Sequence, residues 1–101
     1  MSAWLQAGEA ELKLKHFPAA AKAFESVVTI KNAEAAVRYR AFAGLGLARE
    51  EQKDWKAALA AYESAARTPD ATLRDWATKR VAAMKSHLGN ASPKSKGGSG
   101  S

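Results

Sequence analysis

The sequence lacks cysteine altogether and has only three prolines among its 101 residues. Without cysteine, neither a disulfide framework nor a metal site built from thiolates can form. The sequence also lacks any run of roughly eighteen apolar residues, the length that a transmembrane helix needs, so direct membrane insertion is not expected. It has no secretory signal sequence either, and these absences leave the cellular compartment open.

Residues that commonly carry catalysis are few, and they are not clustered. His16 falls in a predicted turn, and His87 falls near a helix end, where a cation suits the helix dipole. Glu50 and Glu51 are adjacent, so on a helix they do not share a face as an acid–base pair would. Segment 44–46 has two glycines but lacks the strand context of a phosphate-binding loop. We therefore expect no enzyme, no cofactor and no metal site.

A strong helical pattern is present instead, most clearly between residues 42 and 69. Apolar residues recur there at helical spacing: Phe42, Leu45, Trp55, Ala58, Leu59, Tyr62, Ala65 and Ala66. The pattern predicts two antiparallel helices joined by a tight turn. Gly46 lies inside the first helix at a cost of about 1 kcal/mol, which predicts a close contact with the second helix near Ala58. Gly44 is expected to be less tightly packed.

The same pattern occurs twice, at an offset of about 38 residues. The first copy consists of Trp4, Gly8, Phe17, Ala20 and Phe24, and the second of Phe42, Gly46, Trp55, Ala58 and Tyr62. Segments 24–26 and 62–64 also match, as Phe-Glu-Ser and Tyr-Glu-Ser. A repeat of this kind is typical of stacked helical hairpins. It predicts that the repeated aromatic residues belong to the core rather than to a surface that stacks nucleic-acid bases.

These residues resemble the motif of the tetratricopeptide repeat (TPR), a family of helical hairpin repeats. The matching positions are Phe42 for the leading aromatic residue, Leu45 and Gly46 for the Leu-Gly pair, Ala58 for the small residue, Tyr62 for the second aromatic residue and Pro69 for the closing proline. Arg49 departs from the motif, which has an aromatic residue there. The resemblance implies an all-α, right-handed superhelix of antiparallel helix pairs with about five helices. A non-repetitive five-helix bundle is the alternative.

The resemblance further implies two full repeats followed by a capping helix around Trp76, with Arg80 where a repeat needs a small residue. Helix boundaries are predicted from prolines and capping residues: helix one over 2–14, helix two from Pro18, helix three after the N-cap Asn32, helix four after the N-cap Asp54, and helix five from Pro69 and Asp70 to Gly89. Residues 1–89 are the expected helical domain. Residues 90–101 are expected to be a disordered tail, of which 97–101 look like an engineered Gly/Ser linker.

The chain is basic, with a net charge of +6 and a pI of about 9.8. Four basic residues crowd the fifth helix, namely Arg74, Lys79, Arg80 and Lys85. They indicate either a solvated outer face or a surface for a partner with acidic groups. No DNA- or RNA-binding motif accompanies the charge, so nucleic acid is not an expected partner.

The TPR resemblance implies a protein-interaction module, or scaffold, that holds a peptide or protein segment in a concave groove lined by the first helix of each pair. The residues implied to line the groove are Leu5, Glu9, Leu12, Arg40, Ala43, Leu47, Glu50, Arg74, Ala77 and Val81. Leu47 is the expected apolar centre of the binding patch, with Arg40 and Glu50 free on its rim. The alternative for Leu47 is that it simply packs on Val81.

A second function is left open by the sequence. The chain could be a structural module that self-associates through its terminal helices. The alanine-rich composition and the long third helix are also similar to those of bacterial TPR proteins of cell-envelope assembly and motility systems, so both the cytoplasm and the bacterial envelope remain open as locations.

Overall fold

The computed structural model describes residues 2–30 and 34–91, and over these ranges the chain forms five α-helices and no strand. The helices are α1 (Ser2–Lys13), α2 (Phe17–Val28), α3 (Ala35–Glu51), α4 (Trp55–Ala65) and α5 (Ala71–Ala91). This confirms the predicted all-α fold with about five helices. Each helix packs on the next one along the chain, and α1 also packs on α3. The structure is therefore two consecutive helical hairpins, α1–α2 and α3–α4, followed by α5.

The turns inside the two hairpins have the same backbone structure. Lys15 ends the first helix of one hairpin and Lys53 that of the other, with left-handed φ angles of 63° and 62°. In both turns the lysine N–H donates to the carbonyl three residues earlier, and the N–H of the next residue donates to the carbonyl five residues earlier. This pattern is a Schellman motif, which usually has glycine at the left-handed position. The offset of 38 residues in the sequence is thus also an offset between equivalent turns.

An aromatic residue from the second helix of each hairpin lies on a glycine of the first helix. A Cβ atom at Gly8 would lie 2.7 Å from the ring of Phe24, and one at Gly46 would lie 2.6 Å from the ring of Tyr62. Both aromatic side chains are fully buried. The close approach predicted at Gly46 is therefore present, and the ring that occupies the space belongs to Tyr62.

Gly44 was expected to be loosely packed, and this prediction is wrong. A Cβ atom at Gly44 would overlap the ring of Phe24. The reason is that Gly44 faces back toward α2, in the preceding hairpin, rather than forward toward α4. Phe24 therefore fills space above glycines of both hairpins.

Helix ends agree with the predictions in part. Asp54 caps α4 as expected, with its carboxylate accepting from the amide of Ala57 at 3.2 Å. Asn32, the predicted N-cap of helix three, lies outside the described residues, and Glu34 holds the N-cap position of α3.

The fifth helix begins later and ends later than predicted. Asp70 is its N-cap, because its carboxylate accepts from the amides of Thr72 and Leu73, and this places Pro69 before the helix. Gly89 does not end the helix, which continues to Ala91. Gly89 lacks the positive φ that a glycine C-cap has, and glycine inside a helix is tolerated at a cost of about 1 kcal/mol.

The core consists largely of alanine with a few large side chains. Tyr62, Phe24, Met84 and Val27 are the largest of the fully buried residues. Trp4, predicted to be a core residue, is 52% exposed, and this prediction is wrong. Trp4 lies on α1, the first helix of the stack, and no earlier helix among the described residues covers its outer face.

Candidate binding groove

A groove of about 770 Å³ runs between α1, α3 and α5. Its lining residues are Gln6, Glu9, Ala10, Leu12 and Lys13 from α1, Arg40, Ala43, Gly44 and Leu47 from α3, and Leu73 and Trp76 from α5. The first helix of each hairpin and the following single helix thus contribute to the same concave surface. We call this feature the α1–α3–α5 groove.

The two sides of the groove differ in polarity. On the α1 side, Gln6, Glu9 and Lys13 follow one another at about one helical turn each, so they form a polar row on one helix face. Ala10 and Leu12 add apolar surface beside that row. On α3 and α5 the lining is apolar apart from Arg40, and its largest apolar members are Leu47 and Trp76. A molecule in this groove would therefore contact a polar row and an apolar surface at once.

The position of Trp76 is fixed by the core behind it. Its ring meets the ring of Tyr62 edge to face, with centroids 5.5 Å apart and an interplanar angle of 79°. Edge-to-face contacts of this kind are favoured by the quadrupoles of the two rings. Because Tyr62 is fully buried, the groove wall at Trp76 is preformed.

Five of the residues predicted to line the groove do line it, namely Glu9, Leu12, Arg40, Ala43 and Leu47. Leu47 lines the groove, and Leu47 and Val81 both pack against the buried cluster of Ala58, Tyr62 and Met84. Leu47 is therefore not confined to packing in the core, and its role as the centre of a binding patch stays a prediction.

The other five predicted residues are placed elsewhere. Leu5 and Ala77 are buried in the core, with exposures of 4% and 0%. Val81 packs against Met84 and its neighbours. Arg74 is exposed but does not line the groove. On α1 the prediction was wrong only at Leu5, which points inward, while Gln6 beside it lines the groove.

Arg40 was expected to be free for a ligand, and this prediction is wrong. Its guanidinium binds the carboxylate of Glu9, with Nη2 and Oε2 3.0 Å apart. The pair joins α1 to α3 across the mouth of the groove. The side chains of Glu9 and Arg40 are 43% and 59% exposed, so this ion pair remains in contact with water.

Glu50 was also expected to be free, and it is not. The hydroxyl of Tyr62 donates to its Oε1 at 2.7 Å, and Arg80 donates to its Oε2. The guanidinium of Arg80 lies 5.9 Å from the centroid of the Tyr62 ring, within the range of a cation–π contact. Arg80, which stands where a repeat has a small residue, thus ties α5 to α3 and α4.

The environment of this cluster shifts two pKa values. Burial away from water, followed by the hydrogen bond to Glu50, raises the pKa of Tyr62 well above its ordinary range. The hydrogen bond from Arg80 to the same carboxylate raises the pKa of the guanidinium. Glu50 is thus a structural anchor, with both of its carboxylate oxygens in use.

Six lining residues were missed by the sequence interpretation: Gln6, Ala10, Lys13, Gly44, Leu73 and Trp76. The spacing of Gln6, Ala10 and Lys13 is that of a helix face and was available as a signal. Trp76 was predicted to mark the capping helix, and its place in the groove was not predicted. The structure shows that it is only partly buried and faces the groove.

The second histidine has a contact that the sequence did not indicate. His87 was interpreted as a charge partner at a helix end. Its ring stacks on that of Trp55, with centroids 4.0 Å apart and an interplanar angle of 5°. This contact holds the C-terminal part of α5 against the start of α4.

Within residues 2–30 and 34–91, no group of three or more histidine and acidic side chains is arranged to hold a metal ion. No helix in the same ranges combines the length and the apolar character needed to cross a membrane. Comparison of the chain with protein-family models, with curated proteins and with solved structures gives no match.

Proposed function

We propose that this protein is a TPR-like protein-interaction module that binds a peptide or protein segment in the α1–α3–α5 groove. The observation that carries the proposal is the groove itself. Its volume of about 770 Å³ is within the range of roughly 300–1,000 Å³ that is usual for ligand sites. Its lining includes three large apolar side chains, Leu47, Leu73 and Trp76.

The internal repeat supports the TPR-like part of this proposal. Both hairpins have the same lysine turn, and both have an aromatic ring on a glycine at the same 38-residue offset. Stacked hairpin repeats commonly bind partners on the concave surface that their first helices form. In this chain α1 and α3 are the first helices of the hairpins, and both line the groove.

The composition of the groove supports a binding role rather than catalysis. Its titratable members are Glu9, Lys13 and Arg40, and Glu9 and Arg40 already bind each other. None is placed beside a nucleophile within the groove lining. Apolar area beside a few polar groups is the usual anatomy of a recognition surface.

The test is a selection followed by mapping. Peptides of about sixteen residues would be selected from a displayed random library against the purified protein. Their binding to ¹⁵N-labelled protein would then be followed by NMR. We expect the largest shifts at the amides of Gly44 and Leu47 and at the indole N–H of Trp76.

Two matched variants complete this test. Ala10 lines the groove and is exposed, and Ala82 is exposed on α5 and does not line it. Ala10→Tyr should block the groove and remove binding, whereas Ala82→Tyr should leave binding unchanged. Selected peptides that bind Ala10→Tyr as well as the wild type, or that shift only residues elsewhere, would contradict the proposal.

Self-association through a terminal helix is a second candidate, favoured by one observation. The exposed large apolar residues among those described are Trp4 and Leu14, and both belong to α1 or its final turn. The exposed residues of α5 include Lys79 and Lys85, which favours α1 as the self-associating surface. Size-exclusion chromatography with light scattering should then show a dimer that a Trp4→Gln, Leu14→Gln variant loses. A monomer at about 100 μM would exclude this candidate.

A further inference from the structure

We propose that the segment bound in the α1–α3–α5 groove is an amphipathic helix with an acidic flank, and that Arg40 exchanges the carboxylate of Glu9 for a carboxylate of that helix. This inference rests on the proposed function, because it names the chemistry of the segment that the groove would hold. It is carried by the polarity of the two walls, the charges of the lining and the exposure of the Glu9–Arg40 pair.

The two walls select an amphipathic helix. Leu47, Leu73 and Trp76 give α3 and α5 their apolar lining. The row of Gln6, Glu9 and Lys13 gives α1 its polar lining, and Arg40 of α3 joins that row through its ion pair with Glu9. A segment that fills the groove must therefore present apolar side chains on one side and polar side chains on the other. In a helix, residues three and four apart share a face, so an apolar stripe can lie beside a polar one. Recognition of an amphipathic helix by an apolar groove depends on this arrangement.

The charges of the groove lining favour a bound helix whose polar side is acidic. The cations of the lining are Lys13 and Arg40, and Glu9 is the single anion among the described lining residues. Glu9 is already bound to Arg40, and Lys13 has no ion-pair partner among the described residues. The net charge of the chain, +6, has the same sign as this surplus. A carboxylate is therefore attracted to the α1 side of the groove, and an ammonium group is repelled.

The Glu9–Arg40 ion pair is suited to an exchange in which a carboxylate of the bound helix replaces that of Glu9. Its N···O distance is 3.0 Å, and both side chains are about half exposed to water. Ion pairs with this degree of exposure contribute little to stability. A carboxylate can therefore replace Glu9 when the helix that bears it also makes apolar contacts with the groove. A planar guanidinium can bind a carboxylate through two parallel N–H donors, whichever residue supplies the carboxylate. Arg40 thus stays in place while its partner changes.

The spacing of the cations matches that of a helix. Lys13 lies one turn beyond Glu9 on α1, roughly 6 Å along the axis. Arg40 is held at Glu9, so the two cations are separated by about one turn. Carboxylates at positions i and i+4 of a bound helix have the same separation. Such a helix can bind Arg40 and Lys13 together.

The experiment uses three synthetic peptides with capped ends and identical helical frameworks of alanine and glutamine. Each has leucine at positions i, i+3 and i+7, and the polar flank contains either two glutamates, two glutamines or two lysines four residues apart. Binding to the full chain is measured by titration calorimetry at low and at physiological salt. We expect the glutamate peptide to bind about tenfold more tightly than the glutamine peptide, and the lysine peptide to bind most weakly.

Three variants then test the exchange itself. Glu9→Gln removes the competing carboxylate and should raise the affinity for the glutamate peptide by about threefold or more. Arg40→Gln should lower the affinity for that peptide by about tenfold and leave the affinity for the glutamine peptide unchanged. Glu25→Gln is the matched control, since Glu25 forms an exposed ion pair with Arg49 away from the groove. It should change no affinity.

The outcomes separate this inference from the proposed function. Equal binding of the three peptides, or no effect of Glu9→Gln, overturns the acidic flank while groove binding stands. A glutamate peptide with a central proline that binds as tightly as the original overturns the helical conformation. If the selected peptides of the previous section bind the groove but none of the three designed peptides does, this inference is wrong. If the selected peptides also fail, the proposed function is wrong.

Discussion

Gly44 of α3 lies so close to the ring of Phe24 that there is no room for a Cβ atom at position 44. The ring is fully buried and cannot move aside into water. Glycine is therefore required at this point for α2 of the first hairpin to pack on α3 of the second. The contact is between hairpins, whereas the contact of Gly46 with Tyr62 is within one.

Gly44→Ala should destabilise the protein. Overpacking of a buried site costs about 1–3 kcal/mol, and the gain in helix propensity offsets about 1 kcal/mol of it. We expect a net loss of up to about 2 kcal/mol in the free energy of unfolding, measured by urea denaturation. Gly89→Ala is the matched control, because a Cβ atom there meets nothing within 4 Å. That variant should be neutral or more stable, and a stabilised Gly44→Ala protein would refute the packing described here.

The left-handed lysines in the two turns should be improved by glycine. A left-handed backbone conformation costs a residue other than glycine about 1–2 kcal/mol. Glycine avoids this cost, but its greater freedom in the unfolded chain reduces the gain in stability by about 0.5–1 kcal/mol. Lys15→Gly and Lys53→Gly should each raise the free energy of unfolding by up to about 1 kcal/mol. Lys22→Gly, at an exposed position inside α2, should lower it by about 1 kcal/mol. Equal losses in all three variants would contradict the Schellman turns.

Glu50→Gln should cost more stability than the same change at an exposed ion pair. The new amide still accepts from the hydroxyl of Tyr62, but the guanidinium of Arg80 loses its charged partner, at a cost of about 1–3 kcal/mol. The Nε of Arg80 is already buried without a hydrogen-bond partner among the described residues. Glu25→Gln should change the free energy of unfolding by less than about 1 kcal/mol. Similar losses in both variants would mean that the Glu50 cluster is not structural.

The stability of the protein should fall at high pH because of Tyr62. Burial raises its pKa in the folded state, whereas the unfolded chain releases the same proton near a pKa of about 10. Below that pH both the folded and the unfolded state keep the proton, so the contribution of Tyr62 to stability is fully present. Above it, the unfolded state alone loses the proton, so stability decreases by up to about 1.4 kcal/mol per pH unit.

Comparison with Tyr62→Phe isolates this effect from the titration of the lysines. Urea denaturation from pH 8 to pH 11 should show a steeper decline for the wild type than for the variant. Parallel declines would mean that Tyr62 ionises freely in the folded state.

Much of the fold could be predicted from local patterns. The helical spacing of apolar residues gave five helices, and Asp54 was identified as a cap from its position before Trp55. The offset between Gly8 and Gly46 predicted two equivalent hairpins. Such features depend on residues close together in the chain or on a repeated spacing, and both are visible in a sequence.

The errors concern contacts between distant parts of the chain. The role of Gly44 depends on Phe24, twenty residues earlier and in another hairpin. Arg40 was predicted to be free because its own helix offers no acid at the right spacing, while its true partner, Glu9, is on α1. The spacing of residues within one helix gives no information about contacts between residues on different helices. The error at Leu5 has a related reason, since the packing of α1 on α2 and α3 decides that Leu5 is buried and that Gln6 faces the groove.

The ring of Phe24 has a consequence for how the molecule unfolds. It fills the space above Gly8 within the first hairpin and above Gly44 in the second. In repeat proteins, stability is approximately the sum of what each repeat contributes alone and what each interface adds. Here one side chain contributes to both quantities, so loss of the interface also loosens the hairpin. We therefore expect the two hairpins to melt as one cooperative unit, and the energies of substitutions at these three positions to be non-additive.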